Sequence, residues 1–295
     1  MFKSCRVAVL GIGVMGSAIA GRLVETGNEV VVFDVNADQM TELSKRGAHP
    51  ATSPADATQN ADYVVLSLNT APIVASVAFG PDGVATTGSA DKLLIDMSSI
   101  TPGATVEMAT RLNETCGMGW TDNPLSGGAL AAKTGTLTIM AGGSQVDFDR
   151  ASTVMNHLAA NRTLMGPVGA GQATKLINQI LVGNGFATLM ECAELANKGG
   201  VDPTKIPGAL AGGRADSAIL QEFFIKMADR DYSPTGRIDN MLKDLGGAQE
   251  FARAAAVKTP LLDVNVDLHR WLVDNGHGAS DTAAMMEFFG SGTSK

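Results

Sequence analysis

Three glycines within six residues constrain this chain more than any other feature. Gly11, Gly13 and Gly16 follow an apolar, strand-like run at Arg6–Leu10. They open a stretch, 17–25, whose apolar side chains have helical spacing and which Gly27 ends. A second β-branched run, Glu29–Phe33, stops at Asp34. Strand, glycine turn, helix, strand and acid, in that order, form a dinucleotide fingerprint. In it Gly11 permits a tight turn, Gly13 lets the backbone come close to a pyrophosphate, and Gly16 lets the helix pack on the strand, with Ile12, Val14 and Met15 completing the turn. Unpaired N–H groups and the dipole at the helix start favour the anion. Asp34 stands about 20 residues beyond the glycines, where an acid accepts hydrogen bonds from a ribose hydroxyl. A carboxylate there repels a 2′-phosphate, and Val35-Asn36 supplies no arginine, so NAD is expected rather than NADP.

The same segment imitates a secretory leader, with Lys3 and Arg6 ahead of apolar residues that end in Ala18-Ile19-Ala20. The glycines assign it to a turn and a helix instead. No apolar run is long enough to span a bilayer, so no membrane partner is expected. Cys5, Cys116 and Cys192 are widely spaced and odd in number, and His49, His157, His269 and His277 lack ligand spacing. A cytoplasmic protein without a metal is therefore expected. The formal net charge of −8, with no basic run, argues against nucleic acid as a partner.

Alternation continues to about residue 166. Helix is expected over 40–46, 72–79 and 105–115, and strand over 63–68, 92–96, 119–123 and 137–141. Strands separated by helices imply an α/β Rossmann domain, a doubly wound and mostly parallel sheet with ligands at the carboxyl ends of its strands. Three loops then face the cofactor: Ser67-Leu68-Asn69-Thr70, Met97-Ser98-Ser99-Ile100-Thr101 and Pro124-Leu125-Ser126-Gly127-Gly128. Ordinary Ser/Gly turns would account for the first two equally well. In the third, adjacent glycines permit a concave nest of N–H groups suited to a carboxylate.

After Gly166-Pro167 strand signals stop. A long helix from about Gln172 ends at Gly199-Gly200, Asp202-Pro203 starts a short one, and others are expected over 215–228, 237–257, 260–275 and 281–289. Residues 1–167 thus read as the dinucleotide-binding domain and 168–295 as an all-α domain for substrate binding and oligomerisation. The long helix places Lys175, Asn178 and Gln179 on one face. Leu176, Ile177, Ile180, Leu181 and Leu189 make the rest of it apolar nearly all round, which predicts burial. A lysine and an asparagine there need partners, and a structural ion pair or a lysine reaching solvent competes with a catalytic role. Gly183 and Gly185, each costing about 1 kcal/mol of helix propensity, predict close approach by another helix, of this or a second subunit.

Gly11-Ile-Gly-Val-Met-Gly16, Asp122-Asn-Pro-Leu-Ser-Gly-Gly128, Gly135-Thr-Leu-Thr-Ile-Met140, Gly169-Ala-Gly-Gln-Ala-Thr-Lys-Leu-Ile-Asn178 and Lys243-Asp-Leu245 resemble the signature blocks of the β-hydroxyacid dehydrogenases. The resemblance runs in order over nearly the whole chain. It implies hydride transfer between NAD and a small β-hydroxy acid such as 3-hydroxyisobutyrate, with tartronate semialdehyde, threonate and serine of the same class. It implies Lys175 as general acid and base, Asn178 orienting the substrate, and the Ser126-Gly127-Gly128 backbone holding its carboxylate. Lys243 would sit by the nicotinamide, Leu68, Asn69 and Thr101 would line the cofactor, and the protein would be a homodimer or homotetramer. To work in both directions Lys175 needs a pKa well below that of free lysine, which burial beside a cationic Lys243 would give.

Asn123, Ala131, the lack of a proline between Leu68 and Asn69, and the tail Asp281-Thr-Ala-Ala284 depart from the family pattern and bear on substrate shape rather than the reaction. An imine reductase on the same scaffold, a non-catalytic NAD sensor and a decarboxylating sugar-phosphate dehydrogenase, normally longer and in need of basic residues for a phosphate that are not seen near Ser126, are the competing readings. The first usually lacks the lysine. The second leaves Lys175, Asn178 and Ser126 together unexplained.

Overall fold

The computed structural model describes residues 4–290, and the chain divides after Lys175 into two compact units. In the first, apolar runs give strands and glycine punctuates them. β1 (Arg6–Leu10), β2 (Glu29–Phe33), β3 (His49–Pro50), β4 (Tyr63–Leu66), β5 (Leu93–Asp96) and β6 (Gly119–Asp122) are parallel. They are joined by α1 (Val14–Glu25), α2 (Ala37–Ser44), α3 (Pro54–Gln59), α4 (Ala71–Phe79) and α5 (Pro102–Cys116). β7 (Leu125–Ser126), α6 (Gly128–Thr134), β8 (Leu137–Gly142), α7 (Gln145–Met155) and β9 (Ala159–Gly166) follow. The sheet order is β3-β2-β1-β4-β5-β6-β8-β7, with β9 beside β8, and β8 runs antiparallel to β6 and β7. The chain thus reverses direction between β1's two neighbours, β2 and β4, the switch point at which such sheets bind ligands beyond their carboxyl ends. Val7, Val9 and Ile95 pack against one layer of helices and Ala8, Leu10 and Leu94 against the other, so both sheet faces are covered.

The expected mostly parallel sheet followed by helices is what forms, with differences at the edges of elements. α1 begins at Val14 rather than 17, because Gly13 is already its extended N-cap residue. α2 begins at Ala37, where the Asn36 side chain accepts the Asp38 N–H, not at 40. The strand expected over 63–68 ends at Leu66, and the Leu68 N–H turns to the Ser98 hydroxyl instead. Among the elements not expected are the two-residue strands β3 and β7, the short alanine-containing α3 and α6, and β9, in which half-buried and exposed residues are mixed. α7 was also missed, although Ser144 caps it by accepting the Asp147 N–H and donating to the Asp147 carboxylate.

The described residues of the second unit, which begins at Leu176, are mainly helical: the greater part of α8 (Ala170–Gly199), then α9 (Ile206–Leu210), α10 (Ala218–Ala228), α11 (Ile238–Ala254), α12 (Pro260–Leu272) and a closing 3-10 helix at Thr282–Phe289. Phe186 meets the Phe223 ring edge to face at 4.8 Å in its core. A Cβ built on Gly183 would lie 3.0 Å from Leu245 and 3.2 Å from Asn265, and one on Gly185 3.2 Å from Ile219. The helices that use the two glycines are therefore α11, α12 and α10 of this same chain. Asp281 anchors the closing helix: its buried carboxylate takes Lys226 Nζ at 2.8 Å and also accepts from Thr235 and the Ala283 N–H.

One expectation fails. α8 is not buried all round, for Ile177, Leu181 and Leu195 are 51%, 70% and 72% exposed. Leu176, Phe186, Leu189, Met190 and Ala193 fill the helical core, and among the described residues none covers Ile177, Leu181 or Leu195 on the other side. A helix apolar on every face needs a cover on every face, and periodicity alone does not say what supplies it.

Candidate active site

The glycine turn stands at the end of β1. Gly11 has φ +86°, and a Cβ on it would lie 2.5 Å from the Ser67 carbonyl oxygen. On Gly16 a Cβ would fall 1.9 Å from the Gly11 carbonyl oxygen, so the first turn of α1 sits directly on the loop. Around Gly13 a Cβ would meet nothing within 4 Å. Two of the glycines are therefore demanded by neighbouring backbone, while the middle one faces open space at a helix start. That is the arrangement a pyrophosphate requires. Ile12 is fully buried, Met15 is half-buried, and Val14 is exposed on the first turn.

Asp34, at the end of β2, accepts the Ile12 N–H at 2.8 Å on one oxygen and the Asn36 N–H at 2.9 Å on the other. It ties the acid to the glycine turn and leaves lone pairs for a diol. Beyond β4 and β5, Asn69 is exposed, Leu68 is half-buried with its N–H on the Ser98 hydroxyl, and Thr101 caps α5 by accepting the Ala104 N–H. The Thr101 side chain thus has a structural task of its own. Ser126 pairs with Thr138 across β7 and β8. Gly127 and Gly128 follow with φ +119° and +68°, and a Cβ on Gly128 would meet nothing within 4 Å. Gly11 to Gly16, Asp34, Leu68, Asn69, Thr101 and Ser126 to Gly128 all lie at or just beyond the carboxyl ends of β1, β2, β4, β5 and β6.

Sequence reasoning missed the groups that seat α8. Asp122, the last residue of β6, is fully buried and accepts the Gly169 and Gln172 N–H groups, each at 2.8 Å, on its two oxygens. Burial pushes this carboxyl up, and the N–H donors of Gly169 and Gln172 pull it back. Neighbouring Asp96 is raised to about 6, chiefly by burial, against a hydrogen bond from Ser98. An acid ending each of two apolar strands was the available signal. Lys175, one turn beyond Gln172, is half-buried.

In the helical unit, Asn178 Nδ2 donates to Gln179 Oε1 at 2.9 Å, and Gln179 Nε2 donates to Asp244 Oδ2 at 2.7 Å. The other Asp244 oxygen lies 3.2 Å from Lys243 Nζ. Asp244 therefore links the two expected site residues of this unit, Asn178 on α8 and Lys243 on α11. The Lys243 side chain is 40% exposed in that ion pair.

The sheet order, glycine turn and acid define a dinucleotide-binding fold of the nicotinamide class. Residues 6–166 match the NAD binding domain of 6-phosphogluconate dehydrogenase, and residues 169–289 match the NAD-binding domain of NADP-dependent 3-hydroxyisobutyrate dehydrogenase. The chain is 32% identical over 284 residues to 2-hydroxy-3-oxopropionate reductase of Escherichia coli, covering 96% of each. It is 31% identical over 290 residues to 2-(hydroxymethyl)glutarate dehydrogenase of Eubacterium barkeri, covering 97% of this chain and 95% of the relative. The structure of Mycobacterium tuberculosis 3-hydroxyisobutyrate dehydrogenase with L-serine superposes with a TM-score of 0.87 at 26% identity, over 98% of this chain and 100% of that one. This chain belongs to the β-hydroxyacid dehydrogenase family and is a nicotinamide-dependent oxidoreductase. Among the described residues no helix is long and apolar enough to cross a membrane.

Proposed function

We propose that the protein is an NAD-dependent dehydrogenase of small β-hydroxy acids of the 3-hydroxyisobutyrate type, with Lys175 as its general acid and base. One observation carries this reading above the rest. The helix bearing Lys175 starts on the end of β6, pinned there by Asp122, at the same carboxyl edge of the sheet that carries the glycine turn. Asn178 follows three residues later on the same helix face.

The nicotinamide, when bound, supplies the hydride acceptor or donor. Lys175 Nζ takes the proton of the substrate hydroxyl in oxidation and returns it to the carbonyl oxygen in reduction. The backbone of Ser126, Gly127 and Gly128, open above Gly128, holds the carboxylate. The Asn178 amide, held by Gln179, binds the substrate, and the family resemblance assigns Lys243 to the nicotinamide. Gly11, Gly13 and Gly16 receive the pyrophosphate, and Leu68, Asn69 and Thr101 border the cofactor. Asp34 accepts from the adenosine ribose and disfavours a 2′-phosphate, which supports NAD over NADP.

Residues 1–167 then bind the dinucleotide, and residues 168–295 complete the substrate site and assemble the protein. The uncovered side of α8 with Ile177 and Leu181, and that of α12 with Leu261 (74% exposed) and Val264 (69%), supports a homodimer or homotetramer. Free thiols at Cys116 and Cys192 are in keeping with a cytoplasmic location. The relatives named for 2-hydroxy-3-oxopropionate and 2-(hydroxymethyl)glutarate support a hydroxy-acid substrate.

The test is a panel of small β-hydroxy acids with NAD or NADP, followed by absorbance of the reduced cofactor. Turnover of at least one with NAD is expected. Reduction of cyclic imines with no oxidation of any hydroxy acid would replace this reading.

A further inference from the structure

We infer that Gln172 and Asp122 are positioning residues that fix the height and rotation of Lys175 over the carboxyl edge of the sheet, so that turnover depends on them. The inference rests on reading Lys175 as the acid–base group.

Gln172 is fully buried and lies one helical turn before Lys175. Its backbone N–H donates to Asp122 Oδ2 at 2.8 Å, while the Gly169 N–H donates to Asp122 Oδ1 at 2.8 Å. Its side-chain Nε2 donates to the Ser98 carbonyl oxygen at 2.7 Å. Ser98 in turn donates its N–H to Asp96 Oδ1 at 3.0 Å and accepts the Leu68 N–H on its hydroxyl at 3.1 Å. A single buried side chain thus ties the first turn of α8 to the loop that follows β5, and through Ser98 to that after β4, while its backbone ties the same turn to β6. Gly171 tightens the seat, for a Cβ there would lie 2.5 Å from the Met140 carbonyl oxygen and 2.7 Å from Asp122 Oδ2.

Capping alone does not account for this set. The Asp122 carboxylate already accepts the N–H groups of Gly169 and Gln172 at the start of α8, the service a capping side chain gives. The Gln172 amide adds a bond to a different strand end while leaving its own Oε1 without a protein partner, an arrangement that costs stability relative to an apolar side chain of equal volume. What the extra bond supplies is geometry. The two Asp122 oxygens define the direction of the helix start, and the amide fixes its rotation and its distance from the loop Met97-Ser98-Ser99-Ile100-Thr101. A slip of one residue turns a helical side chain by about 100°, and a displacement of about 1 Å can lower turnover on the order of a hundredfold.

The test is Gln172→Met, which keeps length and volume and removes the amide. In the purified full chain kcat with NAD and the best hydroxy acid falls about tenfold or more, while KM and the NADH Kd change by less than about threefold. The pH dependence of kcat shifts with it, as an altered Lys175 environment requires. Asp122→Asn, which keeps one oxygen acceptor, produces a smaller loss of the same kind and carries the comparison if Gln172→Met does not fold. A kcat within about twofold of wild type, or a parallel loss of kcat, KM and NADH affinity, overturns the inference. Lys175→Ala measured alongside separates the two readings. If it stays active the acid–base assignment fails, whereas if it is inactive and Gln172→Met turns over normally, only the positioning role fails.

Discussion

The two glycines at either end of the α1 start should respond to alanine in opposite ways. Gly13 has an extended backbone open to any residue, and a Cβ there meets nothing within 4 Å. Gly13→Ala therefore folds with unfolding free energy within about 1 kcal/mol of wild type, its lower chain entropy offset by a poorer N-cap. The methyl group occupies the space in which a pyrophosphate would approach. Loss of a charge-assisted N–H contact costs about 1.5–3 kcal/mol, which raises the NADH Kd roughly tenfold to a hundredfold. At Gly16 the added carbon would sit 1.9 Å from the Gly11 carbonyl oxygen, which is backbone and cannot rotate aside. That clash requires the turn to move by more than 1 Å, on the order of 1–3 kcal/mol of overpacking or more. Gly16→Ala therefore loses stability and cofactor affinity together. Urea unfolding and NADH fluorescence titration of the two variants read both quantities. If Gly13→Ala binds NADH within about threefold of wild type, or is as destabilised as Gly16→Ala, the assignment of open and filled space at this turn is wrong.

Two buried aspartates give pH signatures of opposite sign. Asp96, raised to about 6 chiefly by burial, is protonated more readily in the native than in the unfolded chain, so it lowers stability as pH rises from about 4 to 6. Asp96→Asn removes that slope and is more stable than wild type above pH 7 by up to about 3 kcal/mol; an unchanged slope in chemical denaturation between those pH values refutes it. Burial would raise Asp281, but hydrogen bonds from Lys226 and Thr235 outweigh it and hold the carboxyl at about 2. Its stabilisation is present above pH 4 and disappears as pH falls toward 2. Lys226→Met removes the cation from that buried carboxylate, which keeps its N–H and hydroxyl donors, and costs about 3 kcal/mol at neutral pH, less at pH 3; a loss of under about 1 kcal/mol shows that the pair is not a determinant of stability.

The sequence disclosed most where local chemistry decides structure. β1 and β2 were delimited to the residue, because β-branched runs are punctuated there by Gly11 and Asp34. Starts of helices were read late at α1, α2 and α5, because the residues that begin them are glycine, asparagine and threonine caps rather than apolar ones. α3 and α6, six and seven residues long, are too short for any period to show, and β9 alternates only weakly. The seat of Lys175 was illegible for a different reason: Asp122 meets Gly169 across 47 positions, and Gln172 meets Ser98 across 74. Such partners are fixed by the fold, not by spacing. The uncovered side of α8 belongs to the same class, since an apolar stripe announces burial without naming the cover.

The most direct measurement is kcat of Lys175→Ala with saturating NAD and the preferred hydroxy acid, alongside its NADH Kd. A general acid and base contributes about 10²–10⁴-fold, so a fall of at least a hundredfold with unchanged NADH affinity is expected. A variant that retains more than about a tenth of wild-type turnover contradicts the assignment of Lys175 and the chemistry built on it.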